Sequence, residues 1–218
     1  MKRIFLAVMM VFITLGLTGC GDGGGSAQIV VTPPQTFVTT ISSNPAFDGD
    51  IKQDFVTGLL TVQPSPLAVL VGLDPLTEDE YRGFLHFPLT GIGGVPGDAV
   101  IVSAFLDIVI NSIVLQPPTN TIPIRIDLVS LQPATLSGPE FFRDSPLALA
   151  SITFPIFRAD VGNSVSVDVT SLMVEAQRLG LVNFQIRMLE DLGIVSPGLI
   201  GIDDTTVALA PRLIVTYF

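Results

Sequence analysis

Tryptophan is absent from this 218-residue chain, histidine occurs once (His86), cysteine once (Cys20) and tyrosine twice (Tyr81 and Tyr217). One histidine cannot supply a multi-histidine zinc site, and without a partner it makes no nucleophile–base pair. A lone cysteine forms no intrachain disulfide. Positive charge is also scarce: ten basic residues face twenty acidic ones, a net charge of −10. Nucleic acids and anionic headgroups are poor partners for such a surface. Nucleophile motifs of the G-x-S-x-G or S-x-x-K kind do not occur. The glycine-rich GIGGVPGD (91–98) holds a proline and leads from strand to strand, so it reads as a turn and not a phosphate loop. Twenty acids allow many carboxylate pairs, but nothing in the sequence selects one for hydrolysis. No enzymatic activity is expected.

Apolar residues are what the chain has in excess, at 48% against 14% charged, with 17 prolines and 20 glycines spread along its length. That balance suits many short strands joined by turns. Period-two alternation supports it. Ala104, Leu106, Ile108 and Ile110 share one face in SAFLDIVIN; Ile122, Ile124, Ile126 and Leu128 do so in TIPIRIDLVSL. Val165, Val167 and Val169 alternate with Ser164, Ser166 and Asp168; Phe184, Ile186 and Met188 alternate with Gln185 and Arg187. Each segment predicts one face to a core and one to water. Further strands are expected at 36–41, 66–73, 81–87, 148–154 and 211–218. One helix is expected, TSLMVEAQRLG (170–180), capped by Asp168 or Thr170 and ended by Gly180. The predicted fold is all-β, an antiparallel β-sandwich with one short helix.

The start of the chain has a different character. Lys2 and Arg3 precede an apolar run from Ile4 to Leu15, shorter than the roughly 20 residues of a membrane span. Leu17-Thr18-Gly19-Cys20 then resembles the bacterial lipoprotein signal, in which the cysteine is lipidated and becomes the new N-terminus. Several acyl chains together hold a protein stably to a bilayer. Gly21 is not the aspartate that retains such proteins at the inner membrane, so the resemblance implies an outer-membrane site. The domain plan is a signal peptide at 1–19, a flexible Gly/Pro tether at 20–35 and one domain at 36–218. Removing the signal leaves eight basic against twenty acidic residues, a net charge of −12.

Four stretches resemble the bacterial DNRLRE-type domain, a jelly-roll module related to the TGF-β-propeptide fold. They are YRGFLHFPLTGIGGVPGDAVIVSAFLDIVI, VSVDVTSLMVEAQRLG, VNFQIRMLED and APRLIVTYF. The family's name-giving letters are absent, and LSGPEFFRDSPLA carries phenylalanines where the family has tryptophans. The resemblance implies a jelly-roll sandwich and a non-catalytic, extracytoplasmic module. Two functions are compatible with it: a structural or adhesive envelope module binding a protein or glycan, or a carbohydrate-binding module on the cell surface.

Candidate sites follow from residue chemistry. Asp48, Asp50 and Asp54 in FDGDIKQD, with Asp74, Glu78 and Asp79 in DPLTEDEY, place hard oxygen ligands near turns and suit a structural calcium ion. No other cofactor is expected. Phe141 and Phe142 could form an aromatic platform for a sugar, with one of the two expected in the core instead. His86 is expected on the outward, solvated face of its strand. Cys20 is the expected lipid attachment point.

Overall fold

A computed structural model of the chain describes residues 34–117, 119–131, 135–191 and 197–218. Twelve strands and one α-helix occur among the described residues: β1 (Phe37–Ser42), β2 (Gly49–Gln53), β3 (Leu60–Pro64), β4 (Ala68–Leu73), β5 (Glu80–Pro88), β6 (Ile101–Leu115), β7 (Thr121–Val129), β8 (Ala150–Phe157), β9 (Ser164–Asp168), α1 (Thr170–Arg178), β10 (Asn183–Glu190), β11 (Gly198–Asp203) and β12 (Arg212–Tyr217). Every pairing between them is antiparallel. The expected all-β sandwich with a single short helix is the fold observed.

One layer runs β3-β2-β5-β10-β7-β8. The other is organised by β6, whose fifteen residues serve two neighbours in turn. Ile101 to Asp107 pair with β12, which carries β1 on its far side, and Ile110 to Leu115 pair with β11, which leads to β4. Strand β9 lines the opposite edge of β6. Strand β4 joins β5 only at Gly72↔Tyr81 and Leu73↔Glu80, then passes over its inner face. Gly83 makes that close crossing possible: a Cβ there would lie 2.6 Å from Val71 and 2.7 Å from Val69.

The alternating apolar faces meet between the layers. Ala104, Leu106, Ile108 and Ile110 of β6, the even-numbered residues of β7 from Ile122, and Phe184, Ile186 and Met188 of β10 are all buried in one cluster. Each large aliphatic side chain so buried contributes about 1.5–3 kcal/mol. Helix α1 closes the cluster with Leu172, Met173 and Ala176. Asp168 accepts from the Thr170 N–H at 2.9 Å at its start, and Gly180 takes φ +66° just beyond its end.

Three strands were not expected: β2, β3 and β11. FDGDIKQD reads as an acidic turn, yet Gly49–Gln53 pairs on both sides, with β3 and β5. GLIGID follows a proline–glycine break and still forms an inner strand between β4 and β6. A second expectation fails more instructively. The alternate faces of β5 and β10, and of β7 from Asp127 onward, do not meet water. Asp127, Gln185 and Arg187 are buried, because the β7–β8 connection lies over them with a 3₁₀ turn at Gly138–Phe141. A smaller cluster of Ile51, Phe84, Val129, Leu131 and Phe141 forms beneath that cover.

Candidate functional site

Three places gather polar chemistry, and they differ in what satisfies it. The first is the covered outer face of the central strands. Arg187 is fully buried there. Its guanidinium pairs with Asp127 at 3.0 Å and donates to the carbonyls of Phe142 at 2.7 Å and Arg143 at 3.2 Å. Burial alone would raise the Asp127 pKa, but hydrogen bonds from Ser151, Arg125 and Arg187 outweigh it and hold the carboxyl below its ordinary value. Arg82 lies 4.1 Å from the centre of the Phe141 ring, donates to the Phe141 carbonyl and pairs with Glu80 at 2.7 Å. Together the two arginines fasten the crossover by its backbone.

His86 belongs to this face. It faces outward from the core as expected, but it is only 6% exposed and not solvated. The Phe47 ring packs against it at a tilt, centroids 5.0 Å apart, and Gln185 meets its Nδ1 at 3.1 Å. Burial lowers its pKa, which favours the neutral ring. The two phenylalanines divide as the sequence allows: Phe141 is buried and Phe142 is 47% exposed, edge-on at 5.9 Å. A flat platform of two rings is therefore not formed.

The second place is the acidic edge between the layers. The six acids suggested as calcium ligands are dispersed among three segments. Asp54 caps its own turn through Thr57 at 2.8 Å, and Asp74 accepts from the Leu76 N–H at 2.9 Å. Asp79 pairs with Lys52 at 2.7 Å and accepts from the Phe55 N–H at 3.0 Å. Glu78 sits in the same turn at φ +61°. Asp48 and Asp50 are different, being wholly buried. Asp48 accepts from the His86 N–H at 2.7 Å, and Asp50 from the Leu70 N–H at 3.1 Å. Burial pushes them up to about 7 and about 6 respectively. The sequence reading missed Asp204 and Glu190, two more buried carboxyls that burial pushes up to about 6 and about 7. Their apolar neighbours in GLIGID and NFQIRML were the available signal. Among the described residues no three acidic, histidine or cysteine side chains gather as a metal cluster.

The third place is open. Strands β8 and β9 are consecutive in sequence but lie in different layers, and among the described residues neither has a second neighbour. A groove of about 750 Å³ runs between them, lined by Ile152, Phe154, Val165, Ser166, Val167 and Asp168, with Thr170 and Ser171 at the helix end. The two edges are not equivalent. The Arg158 N–H donates to Asn120 at 2.9 Å, which sets the even residues of β8 towards β7 and the odd ones outward. Pro155 has no N–H to offer on that outer side, and the Phe157 N–H is taken by Asp160 at 2.7 Å. On β9 the Val169 N–H donates to Ala104 at 2.9 Å, so Val165 and Val167 bond to β6. The backbones of Ser164, Ser166 and Asp168 then point away from β6, the last two into the groove, with no proline or lysine among them.

Cys20 lies outside the described residues. Among the described residues no helix is long and apolar enough to cross a membrane. No protein-family model matches the chain, and no curated protein matches it.

Proposed function

We propose that the chain is a lipid-anchored lipoprotein of the cell envelope, at the outer membrane, whose sandwich is a non-catalytic structural or adhesive module. Its partner is an extended polypeptide that adds to the free edge of β9. The observation that carries the reading is the asymmetry of the groove: one edge offers no free donor at Pro155 and Phe157, and the other has three outward backbone positions, at Ser164, Ser166 and Asp168. Strand addition draws affinity from main-chain hydrogen bonds and specificity from alternate side chains. The groove supplies both, since Val165 and Val167 line it beside the polar backbone of Ser166. The anchor rests on the LTGC sequence at 17–20 and its resemblance to the lipoprotein signal.

Carbohydrate binding is the second reading, favoured by the hydroxyls of Thr153, Ser166, Thr170 and Ser171 beside Phe154 in the same groove. A photo-crosslinker placed at Ser171 of the full chain, in intact cells, separates the two. Capture of a polypeptide, lost on Ser166→Pro, supports strand addition, because that proline removes an outward N–H and leaves the β6 ladder whole. No crosslinked polypeptide, together with binding on a glycan array, supports the sugar. For the anchor, Cys20→Ser is expected to release the protein from membranes, and mass spectrometry of the native protein to find acyl chains on Cys20. An unmodified thiol overturns that part.

A further inference from the structure

Near the start of β2, four buried side-chain oxygens have no hydrogen-bond partner outside their own group: Ser43 Oγ and Asp48 Oδ2, which have only each other, and both carboxylate oxygens of Asp204. Their residues are 5%, 0% and 9% exposed. Three distant segments bring them together. The Ser43 N–H donates to the Pro211 carbonyl at 2.8 Å, and the Asp204 N–H to the Leu67 carbonyl at 3.0 Å. Asp48 is held by the backbone of His86 at 2.7 Å, next to the Ser43 hydroxyl and within range of the Asp204 charge.

Among the described residues no lysine or arginine forms an ion pair with either carboxylate. Two carboxylates withdrawn from water, with no cation between them, lose hydration and repel each other. Native structures pair such groups or give them a metal. Asp127 by contrast has two arginines and Asp79 has Lys52, while Asp50 and Glu190 share the lack of a cation but each accepts from backbone N–H groups. A cavity of about 320 Å³ reaches the place from outside, lined by Ser42, Ser43, Asp204, Thr205 and Thr206.

We propose that Ser43, Asp48 and Asp204 form a binding site for a hard divalent cation, of which calcium is the best fit. The donor set is all oxygen, which suits calcium or magnesium and offers nothing to metals that prefer nitrogen or sulfur. Calcium tolerates an irregular shell of six to eight oxygens, so a hydroxyl, two carboxylates and waters from the cavity suffice. Magnesium demands a stricter octahedron and keeps more of its water. Of the acids singled out from sequence only Asp48 takes part; its partner, Asp204, lies 156 positions further along the chain. The ion would tie the β1–β2 connection to the loop that leads into β12, and so fasten the two layers at this edge.

The test uses the full-length protein in detergent micelles, stripped with chelator and titrated with calcium chloride in a calorimeter. One ion per chain and a higher melting temperature with calcium are expected. Asp204→Asn is expected to weaken calcium binding by about tenfold or more, the equivalent of about 1.4 kcal/mol, and to melt no lower than the parent in chelator. Ser43→Ala, which keeps both charges, is expected to weaken binding by a smaller factor. The proposal is overturned by an absence of heat and of any melting shift, or by calcium binding that Asp204→Asn leaves intact. Should that variant not fold, unchanged affinity in Ser43→Ala overturns it equally.

Discussion

The outer face of the central strands and the acidic edge between the layers bury charge to the same depth and treat it in opposite ways. On the outer face, Asp127 meets Arg125, Arg187 and Ser151, and Arg187 also donates to the carbonyls of the crossover, with its Nε alone left without a partner. At the edge, Asp48, Asp50, Asp204 and Glu190 each keep at least one oxygen without a partner. Burial by itself thus says little about whether a charged group stabilises a fold. What matters is whether removing it breaks pairs or relieves an unpaired group. The first region is a fastening, and the second is a store of unmet demand.

The comparison can be broken most forcibly at Arg187. Arg187→Ala strips the buried Asp127 of one cation and frees the crossover carbonyls, with an expected loss of about 3–5 kcal/mol in urea unfolding. A loss under about 1 kcal/mol would show that the outer face is not held in this way. Next in size is the effect of pH. The four raised carboxyls bind protons more tightly in the folded chain than in the unfolded one, where Asp titrates near 3.8 and Glu near 4.5. The native state therefore holds the extra protons between about 4 and about 7, and stability falls as pH rises through that window. The lowered carboxyls, Asp127 among them, contribute stability that is lost only as pH drops below the ordinary carboxylate range. In chelator the melting temperature should peak near the acid end of that window and decline towards neutrality, as a calorimetric series would record.

A smaller effect sharpens the contrast from the other side. Glu190 uses one oxygen for the N–H groups of Leu73 and Gly198, and its other oxygen has no partner. Glu190→Gln keeps the shape and removes the charge, so its cost at neutral pH should be slight and its pH dependence weaker than the parent's. The smallest change belongs to Lys52→Ala. That residue is 25% exposed and its partner Asp79 keeps the Phe55 N–H, so its loss should lower the denaturation midpoint only slightly.

Much of the sandwich was legible because a half-buried strand writes its burial into alternate letters. The β6 and β9 alternations, the α1 signal with its acidic cap and closing glycine, and the turn at 91–98 all describe local chemistry. The second layer of burial was not legible. QIR in β10 looks like an outward face meeting water, and only a crossover some forty residues earlier in the chain turns it into an interior. The same limit applies to His86, whose cover comes from Phe47. Strand β2 was hidden because its aspartate suits a turn as well as a buried edge. Asp204 had no local sign of its partnership with Asp48, since the two meet only when the layers close. The β8–β9 groove depends on which strands lack neighbours, a property of pairing and not of any segment.

Strands β1 and β12 lie side by side, and β12 also completes the first half of β6. The earliest and latest strands of the sandwich are thus stitched to each other. A ribosome delivers them in order, so this seam has no second thread until nearly all of the domain has been synthesised. Such distant pairing makes for slow assembly. The seam between β1 and β12 can therefore close only after β12 has joined the rest of the domain.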